Sequence, residues 1–476
     1  MSATSSSPRV QQEAITPVPS AQASGPNAPG AQGAIAASEL RRFANSHRLQ
    51  VQAERLIPGG THTYAKGPDQ YPLLSPGFIE SGHGCRIRDV DGNEYIEYAM
   101  GLRAVTLGHA YGPVVEAAKR QLDLGNNFNR PGAIEVEAAE TLLSQVPWAE
   151  MVKFTKDGST AVTAGLKLAR AHTGRALVAI CADSPFFSYD DWFIGTTAMD
   201  GGIAPGATDL ILRFRYNDLA SLEQLFDEHP DQIAMVLLEP ARGIEPAPGF
   251  LEGVRDLTRK RGALLMFDEM VTGYRYCVAG AHQLYGIDPD LASFGKAIAN
   301  GFSVSAIVGR RDVMDLGGLT HDKARVFLLS TTHGAEHVGL AAAIATMKIY
   351  EQEPVIEHLY REGARLREGF EQVARSNGLA DYLPLTGRDC ALAFGCLDLD
   401  GKPSQEFRTL FLQELVRGGV LAPSLFVSYS HDREAIEKTI EAADAAMRVY
   451  ARAVAAGSTD GLLIGPPSKI VYRRFN

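Results

Sequence analysis

Short apolar segments alternate with helical patterns through the middle of the chain, and this alternation constrains the fold more than any other feature. Strand-like segments occur at Met151–Thr155, Ala176–Cys181, Ala234–Pro240, Ala263–Phe267 and Ser303–Gly309. Helical patterns lie near Gly112–Leu124, Ile134–Gln145, Ser159–His172 and Phe250–Arg261. Because short strands that alternate with helices build parallel sheets, the pattern predicts an α/β fold with a mostly parallel, doubly wound sheet.

The flanking regions predict a smaller second domain and two terminal segments. An amphipathic helix and a hairpin at Cys85–Ala99, with Asp91-Gly92 at its turn, precede the alternation. Long helical patterns and a smaller α+β region follow it. We predict a disordered tail (1–38), an N-terminal segment that is part of the small domain (39–100), a large domain (101–334), a C-terminal small domain (335–456) and an extension (457–476).

Composition excludes several classes of function. The formal net charge of −10 argues against a nucleic-acid-binding surface. The five cysteines are widely spaced and form no CxxC, which indicates reduced thiols and neither a disulfide framework nor a metal site. No apolar run is long enough to span a membrane, and the tail has no apolar core typical of a signal peptide. We therefore expect a cytoplasmic protein without a membrane segment.

The stretch LLMFDEMVTGYRY, which begins at Leu264, places acids at the end of an apolar strand. A buried carboxylate such as Asp268 is costly unless a cation or hydrogen bonds stabilise it. Twenty-eight residues later, SFGKAIANG contains Lys296, a residue type that is rarely buried without a function. A lysine near an acid-tipped strand suggests Schiff-base chemistry, and pyridoxal phosphate supplies a cation for the acid and an aldehyde for the amine.

A phosphate site and an aromatic platform are also available. The sequence KDGSTA follows a strand and begins a helix, so the backbone of Gly158 and Ser159 and the Ser159 hydroxyl are placed to face an anion. Phe186, after the next strand, is placed to stack on a pyridine ring. Each signal is weak alone, because a Gly-Ser helix start and a packed Phe are ordinary structural features.

The motifs FDEMVTGYR and PDLASFGKAIANG resemble those of class III aminotransferases, pyridoxal-phosphate enzymes of fold type I. Within that family the chain is most similar to glutamate-1-semialdehyde 2,1-aminomutases. The similarity extends from about residue 56 to 445 and includes IPGGT, RDVDGNEYIEY, LGHAYGPVVEA and YGIDPDLASFGK. Matches in one order over so many segments make chance a poor explanation.

The resemblance implies roles for residues around the cofactor ring. Lys296 matches the lysine that forms a Schiff base with the cofactor and then moves the proton. Asp268 matches the acid that keeps the ring nitrogen protonated. Met270 matches a small apolar residue on one ring face, and Phe186 matches the aromatic residue on the other.

The resemblance also implies a phosphate site that two subunits share. Gly158 and Ser159 match the Gly-Thr of the family's phosphate loop. Thr331, in LLSTTHG, matches a threonine that contacts the cofactor phosphate of the neighbouring subunit. A homodimer with shared active sites is therefore expected.

Several positions depart from the aminomutase pattern. Asp157 replaces a serine in the phosphate loop, so its carboxylate must turn away, toward Lys156 or as a helix cap. Phe187 stands where the family has histidine. Lys66 stands where the aminomutase has an arginine that binds the substrate carboxylate, and lysine lacks the bidentate geometry of arginine. The stretch from Leu421 to Asp432 lacks a family glutamate.

These departures decide among the candidate functions. Tyr64, Lys66, Phe187 and Trp192 are the predicted substrate residues. Because the carboxylate-binding arginine is absent, we expect an aminotransferase that transfers an amino group to a carbonyl substrate in a biosynthetic pathway. The alternatives are a true glutamate-1-semialdehyde 2,1-aminomutase and an amino-acid racemase or epimerase of the same family. A non-catalytic binding protein is disfavoured because the lysine and the acid are both intact.

Overall fold

The computed structural model describes residues 38–475, and its elements follow the predicted alternation. The predicted N-terminal tail lies outside the described residues, apart from residue 38. The strands are β1 (Ile79–His83), β2 (Arg86–Asp89), β3 (Glu94–Glu97), β4 (Met151–Thr155), β5 (Leu177–Cys181), β6 (Ile211–Phe214), β7 (Ile233–Leu238), β8 (Leu264–Asp268), β9 (Leu291–Phe294), β10 (Ser305–Gly309), β11 (Leu385–Thr386), β12 (Ala393–Phe394) and β13 (Val420–Leu421).

The helices lie mainly between these strands and after them. They are α1 (Ala44–Leu56), α2 (Met100–Arg103), α3 (Gly112–Leu124), α4 (Ala133–Gln145), α5 (Gly158–Thr173), α6 (Asp191–Ile194), α7 (Leu219–Glu228), α8 (Phe250–Arg261), α9 (Ala281–Tyr285), α10 (Arg311–Met314), α11 (His337–Gln352), α12 (Val355–Ser376), α13 (Gln405–Arg417) and α14 (Arg433–Ala456). The predicted end of the small C-terminal region, near residue 456, coincides with the end of α14.

A seven-stranded sheet in the order β4-β10-β9-β8-β7-β5-β6 forms the centre of the molecule. Strand β10 runs antiparallel to β4 and β9, and the remaining neighbours pair in parallel. Every residue of β5, β7, β8, β9 and β10 is buried. Such continuously apolar strands are expected where helices cover both faces of a parallel sheet. The predicted fold class is confirmed.

A second sheet joins distant parts of the chain. It has the order β1-β2-β3-β13, and β2 and β3 form the predicted hairpin. The C-terminal strand β13 pairs in parallel with β3, as Val420 lies opposite Ile96. The hairpin and the C-terminal region thus share one sheet, while the predicted domain boundaries stay a prediction.

The C-terminal extension packs on the rest of the chain. Leu462 and Leu463 contact the main hydrophobic core. Farther along, the Lys469 amide donates to the backbone oxygen of Asp69, and Arg473 pairs with the Asp69 carboxylate. The extension therefore ties the end of the chain to its N-terminal segment.

Within residues 38–475, no helix is both long enough and apolar enough to cross a membrane. The same residues contain no group of three or more His, Cys, Asp or Glu side chains arranged to hold a metal ion.

Candidate active site

The carboxyl edge of the large sheet gathers the predicted catalytic residues. Asp268 is the last residue of β8, Lys296 follows β9 by two residues, and Glu239 follows β7 directly. Because β7, β8 and β9 are parallel neighbours, their carboxyl ends meet at one edge, where α/β proteins bind ligands. Strand β4 also runs parallel to β9, through the antiparallel β10 between them. The start of α5 at Gly158 therefore lies at the same edge.

Asp268 is buried and held in place through one of its two oxygens. Its Oδ1 accepts hydrogen bonds from the Met270 amide at 2.9 Å and from the Ser293 hydroxyl at 3.2 Å. Its Oδ2 receives no hydrogen bond from the part of the chain that the structure describes. Burial raises the pKa of Asp268 to about 6, while Lys296 and the two hydrogen bonds oppose the rise. The open oxygen is thus suited to a cationic N–H group.

Lys296 combines a strained backbone with a perturbed amine. Its φ is 47°, in the left-handed region that non-glycine residues rarely adopt. Burial lowers the pKa of its amine, Arg103 acts in the same direction, and Asp268 opposes them. A lowered pKa leaves more of the amine neutral, which is the form that attacks a carbonyl.

The turn after Lys296 is fixed to the N-terminal part of the chain. Asn300, also left-handed with φ of 44°, accepts a hydrogen bond from the Leu107 amide at 2.9 Å. Its Nδ2 donates to the Gly108 carbonyl at 3.0 Å. Such strain costs on the order of 1–3 kcal/mol per residue and persists only where surrounding contacts hold it, commonly at functional sites.

The start of α5 has the features of an anion site. Asp157 caps the helix, because its Oδ1 accepts from the Thr160 amide at 2.8 Å. Of the two orientations expected for Asp157, the cap is therefore the one observed, and Lys156 instead pairs with Glu336 at 2.8 Å. Gly158 begins this sixteen-residue helix, whose N-terminal amides and dipole favour an anion such as a phosphate.

The Met270 side chain packs between the start of α5 at Gly158 and the segment at Gly295, just before Lys296. A Cβ added to Gly158 would lie 3.0 Å from the Met270 Sδ, and one added to Gly295 would lie 2.5 Å from it. Ser159 is buried, and its hydroxyl accepts a hydrogen bond from the Tyr189 amide at 3.1 Å. Glycine at positions 158 and 295 therefore leaves room for the Met270 side chain between the start of α5 and the turn at Lys296.

The predicted aromatic residues differ in their exposure. Phe186 is 41% exposed and contacts Phe193 edge-on, so its ring remains available to a ligand. Phe187 is buried in the second hydrophobic core. Trp192 is partly buried, and its indole N–H donates to Thr163 at 3.0 Å. A substrate contact for Phe187 or Trp192 stays a prediction, and their observed contacts are with the protein.

The remaining predicted residues lie in the N-terminal segment and on the surface. Lys66 is exposed and lines a cavity of about 600 Å³ whose wall also includes Glu97 and Leu102. Asp268 and Lys296 are not among the residues that line this cavity. Tyr64 is 59% exposed, and Thr331 is exposed in a turn before α11. The structure thus does not bring Tyr64, Lys66 or Thr331 into contact with the catalytic pair.

Glu239 and Arg103, which the sequence analysis did not identify, interact electrostatically with Asp268 and Lys296. Burial and the charge of Asp268 raise the pKa of Glu239 to about 7, against the opposing charges of Arg242, Lys296 and Arg103. The Oε2 of Glu239 is buried without a hydrogen bond from any described residue, and Arg242 Nε lies 3.7 Å away. Glu239 directly follows an apolar strand, much as Asp268 ends one, so the same sequence pattern could have identified it. For Arg103 the sequence offered no comparable signal.

Glu269, the acid next to Asp268, is fully buried and accepts a network of hydrogen bonds. Its carboxylate accepts from the amides of Ala281 and His282 and from His282 Nδ1 at 3.1 Å. Trp148 Nε1 donates to His282 Nε2 at 3.0 Å, so that nitrogen carries no proton. The imidazole is therefore neutral. Ala281 and His282, which donate to Glu269, thus lie in α9, within the buried core.

Comparisons with known proteins agree with this geometry. The family model described as "Aminotransferase class-III" matches residues 68–421. The chain belongs to the class III aminotransferase family. It is 35% identical to a glutamate-1-semialdehyde 2,1-aminomutase of Pelotomaculum thermopropionicum over 425 residues, which cover 84% of this chain and 96% of that one.

Solved structures of this family are similar over nearly the whole chain. The PLP internal aldimine form of the FumI protein from Sphingopyxis sp. MTA144 has a TM-score of 0.81 and 30% identity, covering 88% of this chain and all of that one. An omega-transaminase from Sphaerobacter thermophilus has a TM-score of 0.77 and 28% identity, covering 86% and 98%. The chain is therefore a pyridoxal-phosphate-dependent enzyme with PLP fold type I.

The residues present fit pyridoxal phosphate. The open Oδ2 of Asp268 suits the protonated ring nitrogen, and the amine of Lys296 suits the aldehyde. The start of α5 suits the phosphate.

Proposed function

We propose that this enzyme is a transaminase that moves an amino group from a donor amine to a separate carbonyl acceptor in a biosynthetic pathway. The observation that carries the proposal is the position of Lys66, where an aminomutase has its carboxylate-binding arginine. This lysine is exposed and lines a cavity to which neither Asp268 nor Lys296 contributes. A semialdehyde bound as in the aminomutase would therefore lack its anchor.

Pyridoxal phosphate, when bound, supplies an electron sink for the bond that breaks at the donor's amine-bearing carbon. Lys296 would bind the cofactor aldehyde, and its amine, when free, would accept and return the proton of that carbon. Asp268 would keep the proton on the ring nitrogen through its open oxygen. Gly158 and Ser159 would hold the phosphate, while Met270 and Phe186 would pack on the ring.

The enzyme acts as a homodimer in this proposal. The exposed Thr331 contacts the phosphate in the active site of the partner subunit, as the family motif suggests. The exposure of Thr331 supports this role, because a residue that serves a neighbouring subunit must lie on the surface of its own.

A true aminomutase is the second candidate, and the aminomutase of Pelotomaculum thermopropionicum favours it, at 35% identity over 96% of that protein's length. The two functions differ in their need for a second substrate. The purified, cofactor-loaded enzyme should transfer an amino group only when an amine and a carbonyl acceptor are both present. It should convert glutamate 1-semialdehyde to 5-aminolevulinate slowly or not at all.

The variant Lys66→Arg is the matched test. This variant should create no semialdehyde turnover, since neither Asp268 nor Lys296 lines the cavity at Lys66. Rapid formation of 5-aminolevulinate by the unmodified enzyme, or a large gain in Lys66→Arg, would establish the aminomutase instead.

A further inference from the structure

A strained turn lies beside the candidate active site. Residues 100–103, which form α2, have φ values of 44°, 61°, 57° and 74°. Only Gly101 adopts this left-handed conformation without cost, so Met100, Leu102 and Arg103 are each strained. Strained residues of this kind mark sites where the protein holds a side chain in a required position.

Several contacts hold the turn against this strain. The Glu97 carboxylate accepts from the Met100 amide at 2.6 Å, and the Arg103 amide donates to the Ala99 carbonyl at 2.8 Å. The Arg103 carbonyl in turn accepts from Arg275 at 3.2 Å. The backbone is thus held at both ends of the turn.

Two arginines flank the ring of Phe426, and they differ in their partners. The guanidinium carbon of Arg103 lies 4.5 Å from the ring centroid, and that of Arg275 lies 5.0 Å away. Arg275 is buried and donates to Thr106, to the Val427 carbonyl and to two further backbone oxygens at 2.9–3.4 Å. Arg275 is therefore a structural residue.

Arg103, by contrast, has a guanidinium without an acceptor. It is partly buried, and its side chain makes no hydrogen bond or ion pair with any residue in the range 38–475. A partly buried cation without an anionic partner is costly. Stacking on Phe426 orients its planar fork and leaves the N–H edges open, which is the arrangement that binds a carboxylate bidentately.

The open guanidinium lies close to the catalytic pair. Four residues after Arg103, the Leu107 amide donates to Asn300 in the turn that follows Lys296. Arg103 is also among the charges that lower the pKa of Lys296, and Glu239 and Tyr276 interact electrostatically with Arg103 itself. Glu239 interacts with Arg103 at a distance but forms no hydrogen bond or ion pair with it, and the cation nearest its Oε2 among the described residues is Arg242, whose Nε lies 3.7 Å away. An anion bound by Arg103 would therefore lie within electrostatic reach of Lys296.

We propose that Arg103 binds the carboxylate of the substrate and selects amino acids and oxo acids over uncharged amines and ketones. The inference rests on the proposed aminotransfer. It places the carboxylate anchor on the strained turn, at a different position in the chain from Lys66. The substrate class is thus a carboxylate-bearing amine and its carbonyl counterpart.

The kinetic test uses substrate pairs that differ only in the carboxylate. Alanine is compared with isopropylamine, and 3-amino-3-phenylpropanoate with 1-phenylpropylamine, in the cofactor-loaded wild type and in Arg103→Met. For the carboxylated donors that the wild type accepts, kcat/KM should fall about 10- to 100-fold in the variant, the effect of losing one charged hydrogen-bonded contact. The loss should be specific to the carboxylate: any effect of the removed charge on the Lys296 amine acts on both members of a pair alike and cancels in the ratio of their kcat/KM values. Arg103→Lys should keep part of the selectivity, because it keeps the charge but loses the fork.

A binding test is independent of turnover. Calorimetry with propionate, which cannot react, should show binding to the wild type that is lost in Arg103→Met, whereas propionamide should bind neither. The exposed Arg55 at the end of α1 provides the matched control, and Arg55→Met should bind propionate as the wild type does. Unchanged cofactor absorbance and melting temperature would show that the variants are folded.

The outcomes separate this inference from the proposed function. If the wild type transfers no amino group but propionate binding still depends on Arg103, the proposed aminotransfer fails and the anion site stands. If aminotransfer occurs and Arg103→Met slows both members of each pair equally, or slows neither, the assignment of Arg103 is wrong. Propionate binding that survives in Arg103→Met would also overturn it.

Discussion

Replacing Asp268 by asparagine should raise the stability of the cofactor-free protein and lower its activity. Burial raises the pKa of this carboxyl from its ordinary value of 3.8 to about 6. Between these two pH values the folded protein binds more protons than the unfolded chain, so its stability falls as pH rises. The difference of about 2.2 pK units corresponds to about 3 kcal/mol lost above pH 6.

Asparagine removes this cost without disturbing the local contacts. Its side-chain oxygen still accepts from the Met270 amide and the Ser293 hydroxyl. At pH 8 the cofactor-free Asp268→Asn protein should therefore be up to about 3 kcal/mol more stable than the wild type, and near pH 4 the difference should vanish.

Activity should change in the opposite direction. The open oxygen of Asp268 becomes an amide NH₂, which cannot accept a hydrogen bond from a protonated ring nitrogen. A charged hydrogen bond contributes about 1.5–3 kcal/mol, so turnover should fall at least about 10- to 100-fold while the cofactor still binds.

Urea denaturation of the cofactor-free proteins at pH 5 and pH 8, with steady-state rates of the loaded ones, measures both effects. Ser293→Ala is the matched control, because it removes one hydrogen bond and keeps the charge; its rate should fall less than about tenfold. A variant Asp268→Asn with near-wild-type turnover, or one less stable than the wild type at pH 8, would refute the reasoning.

Three further predictions concern the lysine, the buried network and the subunit interface. Lys296→Ala should lose the cofactor absorbance that borohydride fixes to the wild-type chain, and peptide mapping that finds the pyridoxyl group on another lysine would contradict the assignment. His282→Ala should lower the free energy of unfolding by about 2–3 kcal/mol, measured by urea denaturation, because Glu269 loses a charged hydrogen bond in a fully buried position. Thr331→Ala should weaken cofactor binding in a protein that sediments as a dimer, and an active, fully loaded monomer would exclude the shared site.

The sequence was sufficient to predict the sheet, because it depends on local patterns. The apolar run that ends at Asp268 identified a buried strand, and in the structure Lys296 lies two residues past the neighbouring strand β9, at the same edge. Less regular elements were missed. Strand β6 is only four residues long and contains an arginine, and three of the ten residues of α7 are acidic. Strand β9 is also only four residues long, too short for its burial to be read from the sequence.

The rest of the site depends on tertiary contacts that no local pattern encodes. The left-handed backbone at Arg103 is held by Arg275, which lies 172 residues away in the chain. The neutral form of His282 follows from a hydrogen bond with Trp148, 134 residues earlier. Side chains whose state is set by such distant partners become visible only in the folded molecule.

The hydrogen bonds of Arg275 also set the order in which parts of the candidate active site can form during synthesis on the ribosome. Its guanidinium holds the strained turn at Arg103 on one side and the Val427 carbonyl on the other, and Val427 is made 152 residues after Arg275. At a synthesis rate of about 5–20 residues per second, the Val427 carbonyl is made roughly 8–30 seconds after Arg275. Asp268 is translated before Arg275 and Lys296 soon after it, so both are present before Val427 is made. The nascent chain therefore carries Asp268 and Lys296 well before the turn at Arg103 gains all of the contacts that hold it.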